Sequence, residues 1–217
     1  MEGLPQERLK GSQQGQERRF AAAVIGGSAG GISAVTAIVS ALPPTLPLPV
    51  IVVLHQSPQE PPAWVDYLGR HASLPVVEAE DKMPLCPGTV YCAPAGYHLL
   101  LETNGDLALS VDEKINFSRP SIDLLFSSAA DVFGPALIGI VLTGANSDGA
   151  RGLAEIVGAG GLAMVQAPAG AEWPTMPEAA LQTAPQAWSL GLDEIADQLV
   201  ALSMPKQGLN CPASKGA

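Results

Sequence analysis

The stretch Phe20-Ala-Ala-Ala-Val-Ile25, Gly26-Gly27-Ser28-Ala29-Gly30-Gly31, Ile32 to Leu42 and Val50-Ile-Val-Val-Leu54-His55 decides the fold. Its first run is apolar on both faces, as a central parallel strand requires. The glycines break it, and Ile32 to Leu42 then places apolar residues at helical spacing until Pro43-Pro44 ends the helix. A second apolar strand, Val50–Leu54, follows. Strand, glycine turn, helix, strand is a βαβ unit, which forces parallel pairing.

Working outward, residues 62–70 read as a short helix. Thr89–Ala93, His98–Glu102 and Leu107–Val111 read as short strands. Asn104-Gly105 sits between the last two and signals a tight hairpin, because both central residues must adopt positive φ. From Ser121 the alternation returns: helix 121–133, strand 136–142, helix 149–158, strand 162–166, helix 176–183, strand 187–190, helix 192–202. The expected architecture is a three-layer α/β/α, doubly wound, mostly parallel sheet with an antiparallel hairpin at one edge. In such sheets ligands sit at the carboxyl ends of the strands, where the strand order reverses.

The chain has 217 residues, which is enough for one proper core. Hydrophobic residues make up 47% and charged residues only 15%, against about 25% in an average domain. This excludes disorder throughout. The net charge of −10 is uneven: residues 1–19 carry +1 and 204–217 carry +2, leaving −13 on 20–203. A polar, disordered head (1–19), an acidic folded body (20–203) and a flexible tail (204–217) are expected. An acidic body is no general nucleic-acid binder. With no apolar run near ~20 residues, membrane insertion is not expected. The head lacks an export signal, and three cysteines, Cys86, Cys92 and Cys211, make an odd count, so reduced thiols in a cytoplasmic protein are expected. Cys86, Cys92 and His98 lack the close spacing and fourth ligand of a zinc site, so no metal is expected.

Three strand ends carry chemically distinct residues. Ser28 follows the first strand, His55 the second, and Thr143-Gly-Ala-Asn-Ser-Asp148-Gly149 the strand ending at Leu142. These are a nucleophile, a general base and an orienting carboxylate. Whether Asp148 reaches His55 depends on strand order, and Asp148 could instead cap the helix that follows it. A glycine turn after a first strand is also a common phosphate cradle. Here, however, Ser28 stands where the second glycine of G-x-G-x-x-G belongs, the second strand ends in His55 rather than an acid, and no P-loop lysine is present. The Gly26-x-Ser28-x-Gly30 pattern matches a nucleophile elbow, but all three histidines, His55, His71 and His98, precede Asp148, the reverse of the α/β-hydrolase order. His71 and His98 read as structural. The four glycines, Gly26, Gly27, Gly30 and Gly31, would leave Ser28 exposed on a tight turn with backbone N–H groups aimed at a reacting carbonyl.

Taken in order, Val24-Ile-Gly-Gly-Ser-Ala-Gly-Gly31, Leu54-His55-Gln56, Tyr91-Cys-Ala-Pro-Ala-Gly96 with His98, Arg119-Pro-Ser-Ile-Asp123, Leu142-Thr-Gly-Ala-Asn-Ser-Asp-Gly-Ala150, Val165-Gln-Ala-Pro168 and Met176-Pro177 resemble the catalytic domain of the bacterial chemotaxis methylesterases, the CheB family. The resemblance covers about 20–203. It implies a serine hydrolase of γ-glutamyl methyl esters on chemoreceptors, with glutamine deamidation as a second activity and no cofactor. Carried over, Ser28 is the nucleophile, His55 the base and Asp148 its orienting carboxylate, and the backbone of Ala29 and Ala145 forms the oxyanion hole. This chain departs from the family pattern at Ala29, where a threonine is usual, and at Ala145 and Asn146, where Met-Gly is usual. The 19 residues before Phe20 leave no room for a receiver domain, so a separate regulator is expected. The alternative is a catalytically weak or inactive domain that binds a signalling partner. Because the body is so acidic, receptor docking is expected to use a local basic patch, with Arg119 and Arg151 as candidates.

Overall fold

The computed structural model describes residues 20–55 and 63–203. The expectations for residues 1–19 and 204–217, and for Gln56, lie outside them. β1 (Ala22–Gly27) is buried along its whole length, as is β2 (Val50–Leu54). The two pair in parallel, joined by α1 (Gly31–Ala41). On the other flank of β1 lies β7 (Leu137–Val141), also parallel. Outward from β2 come β4 (Val90–Cys92) and β3 (Val76–Glu78); outward from β7 come β8 (Leu162–Gln166) and β9 (Trp188–Leu190). Every pairing in this seven-stranded sheet is parallel, in the order β3-β4-β2-β1-β7-β8-β9.

That order explains the sequence of the central strands. Successive residues point to opposite faces, and helices cover both, so both sets of residues are apolar. Ala23, Ile25, Val50, Val52 and Leu54 pack with α1, α2 (Ala63–His71) and α6 (Leu192–Leu202) through Val35, Ile38, Leu68, Ile195 and Leu199. Val24, Ile51 and Val53 face α3 (Ile122–Phe133), α4 (Ala150–Gly158) and α5 (Thr175–Thr183) through Phe126, Leu153 and Met176. Each fully buried Val, Leu or Ile contributes about 1.5–3 kcal/mol relative to exposure.

The hairpin pairs β5 (His98–Leu101) with β6 (Leu107–Ser110), but as a separate two-stranded sheet. Its turn also differs from the expectation: Gly105 has φ +89° but Asn104 does not have positive φ, because the Gly105 N–H donates to the Glu102 carbonyl at 2.8 Å and closes a longer turn with the glycine last. Its apolar side, Leu99 and Leu107, is buried in the cluster that contains α3, and the Leu101 N–H donates to Ser128 Oγ at 3.1 Å. It caps the helix layer, while β3 and β9 form the edges of the main sheet. The expectation of three reduced thiols also needs correcting. Cys92 is a buried free thiol in β4, whereas Cys86 is disulfide-bonded. No helix among the described residues is long and apolar enough to cross a membrane.

Candidate active site

The strand order settles the question left open by the sequence. β2, β1 and β7 are neighbours, and the order reverses at β1, so the loops after these three strands share one rim. Ser28 follows β1 directly. Its N–H donates to the Thr143 carbonyl at 2.9 Å, and its own carbonyl accepts from the Gly31 N–H at 2.7 Å. The glycines around it do different jobs. Gly30 has φ +75°, the left-handed turn that opens α1. Gly26 is there for space: a Cβ would lie 2.2 Å from Ile122 Cγ2, so only glycine lets the start of α3 lie against the end of β1.

His55 follows β2, with its N–H donating to the Gly27 carbonyl at 3.1 Å. Its Nε2 lies 2.8 Å from Asp148 Oδ2, although 93 residues separate them. Ser28 and His55 line one cleft of about 310 Å³ with Asn146, Lys114, Phe117, Ser118 and Arg119. Among the described residues the Ser28 hydroxyl makes no hydrogen bond.

Asp148 is fully buried, and the start of α3 is built around it. Its Oδ2 also accepts from the Ile122 N–H at 2.7 Å. Its Oδ1 accepts from the Ser121 hydroxyl at 3.0 Å and the Asp123 N–H at 3.1 Å. Burial pushes this carboxyl group up, but the His55 hydrogen bond, the Ile122 and Asp123 amides and the His55 charge outweigh it. The net result is a pKa below the usual carboxylate value, so Asp148 is an anion at neutral pH. The positive end of the α3 dipole acts in the same direction.

The capping alternative for Asp148 fails on these contacts. The carboxylate that serves α4 is Asp123, whose Oδ1 accepts from the Gly149 N–H at 3.0 Å and the Gly152 N–H at 2.8 Å. Asp123 is itself buried, which pushes its pKa up; the neighbouring Asp148 charge adds to that, the Gly152 and Gly149 amides and Arg151 oppose it, and the net shift is upward. Two carboxylates therefore clasp α3 and α4 together, each holding the backbone of the other's segment.

His98 is buried and structural, as expected. The Ser121 N–H can only donate, so His98 Nδ1 accepts it at 3.1 Å, and Nε2–H then donates to the Glu113 carbonyl at 3.1 Å. His98 thus fixes the residue whose hydroxyl holds Asp148. His71 lies at the end of α2, exposed, with Nδ1 2.8 Å from the Tyr67 carbonyl oxygen.

The Ala29 and Ala145 N–H groups donate to no partner among the described residues, whereas the Ser28 N–H is already used. Arg119 sits in the cleft wall, with Nη1 donating to the Val111 and Asp112 carbonyls at 2.7 and 2.9 Å. Arg151 lies in a neighbouring cavity, with Nε 3.5 Å from Asp123 Oδ2 and 3.9 Å from Glu155 Oε1. Lys114 and Phe117 in the cleft carry no signal in the sequence analysis, and Ser121 and Asp123 behind it enter there only as part of the Arg119–Asp123 motif, without a role. Among the described residues no group of three or more His, Cys, Asp or Glu side chains is disposed to hold a metal ion.

The profile of the CheB methylesterase family matches residues 23–199, which includes Ser28, His55 and Asp148. The chain belongs to the CheB methylesterase family. Its CheB relatives include a Leptospira interrogans protein whose name assigns it provisionally as a protein-glutamate methylesterase/protein-glutamine glutaminase. The two are 43% identical over 183 residues, or 84% of this chain and 95% of that one. The protein-glutamate methylesterase FrzG of Myxococcus xanthus is 40% identical over 142 residues, or 65% of this chain and 42% of FrzG. The crystal structure of the Thermotoga maritima CheB methylesterase catalytic domain superposes with a TM-score of 0.80 at 31% identity, covering 84% of this chain and 98% of that domain. The three-layer parallel fold is therefore the CheB catalytic-domain fold.

Proposed function

We propose that this chain is a protein-glutamate methylesterase that hydrolyses γ-glutamyl methyl esters of chemoreceptors, using Ser28, His55 and Asp148. The single observation that carries the residue assignment is the His55–Asp148 contact at 2.8 Å beside Ser28 in one cleft. Nε2 is committed to Asp148, so Nδ1 is the atom that takes the Ser28 proton. The Ser28 oxygen attacks the γ-carbonyl carbon as its proton passes to His55 Nδ1. The imidazolium formed is held by the buried Asp148 anion. The carbonyl oxygen becomes an oxyanion, with the free Ala29 and Ala145 N–H groups as its donors. The tetrahedral intermediate collapses as Nδ1 returns its proton to the methoxy oxygen, and methanol leaves. Water then attacks the glutamyl-Ser28 ester, with His55 again the base, releasing the carboxylate and restoring Ser28. A glutamine side chain follows the same course, with ammonia as the leaving group.

The cleft also bears on how an acidic body accepts a glutamate-rich partner. Lys114 and Arg119 line the cleft itself, and Phe117 stands 96% exposed at its mouth. Arg119, with Arg151 nearby, remains the proposed docking patch, and Lys114 and Phe117 join it. A cytoplasmic setting and a separate regulator belong to the same proposal. The free thiol of Cys92 agrees with that compartment, and the Cys86 disulfide runs against it. The test is methanol release from a methylated receptor fragment. Release by the wild type and none by Ser28→Ala supports the reading. No release by either sample, both folded, overturns it in favour of the partner-binding alternative.

A further inference from the structure

Asn146 lies in the same cleft as Ser28 and His55, and its amide orientation is fixed by the backbone. The Asp148 N–H can only donate, and it donates to Asn146 Oδ1 at 3.0 Å. Asn146 Nδ2 is thereby turned toward His55, 3.2 Å from Nδ1. An amide NH₂ is donor-only, so Nδ1 is the acceptor. This agrees with the other side of the ring, where Nε2–H donates to the Asp148 anion. The groups facing His55 are therefore Asp148 on Nε2 and Asn146 on Nδ1, with Ser28, Lys114 and Arg119 along the shared cleft.

Neutral imidazole has one in-plane lone pair. Ser28 must donate to that lone pair if His55 is to take its proton, and Asn146 already occupies it. We propose that Asn146 is a positioning residue that caps the base in its resting state and must release Nδ1 before Ser28 is deprotonated. This rests on the reading of Ser28, His55 and Asp148 given above. Once Nδ1 carries a proton, two N–H donors face each other, so the contact stabilises the resting state and is lost in the transition state. The tether from the Asp148 N–H to Oδ1 opposes the rotation that would relieve this. An interaction present only in the ground state lowers kcat without weakening the approach of substrate. One net hydrogen bond corresponds to roughly a threefold to tenfold effect.

The test compares wild type, Asn146→Ala, Asn146→Ser and Ser28→Ala in hydrolysis of a small activated ester, with ¹⁵N NMR of the histidine rings. Serine retains an oxygen for the Asp148 N–H but is too short to reach Nδ1, which guards against loss of the loop in the alanine variant. The expected result is a kcat raised about threefold to tenfold in both Asn146 variants with KM unchanged. The His55 Nδ1 resonance, assigned with His55→Gln, is expected to move downfield as its hydrogen bond is lost. Unchanged or lower kcat in both variants overturns the proposal, as does an unmoved Nδ1 resonance. Hydrolysis that persists in Ser28→Ala overturns the triad reading itself, and the Asn146 proposal with it. Ser28-dependent hydrolysis with no gain in the Asn146 variants overturns the cap alone.

Discussion

Ser121→Ala tests whether the start of α3 was built to hold Asp148. The hydroxyl makes two contacts of unequal weight. As N-cap it accepts from the Leu124 N–H at 3.5 Å, a long bond near the bottom of the usual 0.5–2 kcal/mol range for a cap. As donor it reaches Asp148 Oδ1 at 3.0 Å, and a hydrogen bond to a charged group is worth about 1.5–3 kcal/mol. The carboxylate bond therefore dominates, and a loss of about 2–3 kcal/mol is expected in urea unfolding at neutral pH. A double-mutant cycle with Asp148→Ala isolates that bond, with a coupling energy of at least about 1 kcal/mol. The pH dependence has a defined sign. The Asp148 pKa is depressed in the folded protein, so its stabilisation is complete above the unfolded value near ~3.9 and is lost as pH falls through the lower folded value. The difference between wild type and Ser121→Ala narrows over that acid range. A coupling energy below about 0.3 kcal/mol, within the additivity error, would mean that the Ser121 hydroxyl does not hold Asp148.

Other substitutions probe the contacts around Asp148 and the cleft. Gly26→Ala places a methyl group 2.2 Å from Ile122 Cγ2, so it should cost about 1–3 kcal/mol in chemical denaturation and lower ester turnover by displacing the Ile122 amide from Asp148. Asp123→Ala leaves the Gly149 and Gly152 amides without their carboxylate acceptor and should destabilise the protein by about 2–3 kcal/mol by the same measurement. Reversing both Arg119 and Arg151 to Glu should raise KM for a receptor fragment severalfold more than KM for a small ester. Equal effects on the two substrates would remove these arginines from docking.

The parts of the fold that were legible are those with long signals. β1, the glycine turn, α1 and β2 declare themselves because burial on both faces demands unbroken apolar runs and the turn demands small residues. The helices and strands after Ser121 are legible for the same reason. β3 was missed because it has three residues of which none is fully buried, leaving no run to detect. The hairpin turn was legible at Asn104-Gly105, but what the hairpin packs against is a long-range contact with α3 that no local pattern encodes. At the site, the strand-end residues were readable because the topology aims them at one rim. Asp123 was not, since an acid in the first turn of a helix looks the same whether it is solvated or gripping a neighbouring helix. The backbone amides of Ile122 and Asp123, which hold Asp148, carry no side-chain signature at all. Asn146 was visible as a departure from the family pattern, but its contact with His55 depends on the bond to the Asp148 N–H that turns its amide.

Activation of Ser28 by His55 and Asp148 can be read from active-site labelling with a fluorophosphonate, with the modified peptide identified by mass spectrometry. One adduct is expected, on Ser28, with the rate reduced at least about 100-fold in His55→Ala, in line with the loss of a general base. An adduct on another residue, or labelling at the wild-type rate in His55→Ala, would contradict it.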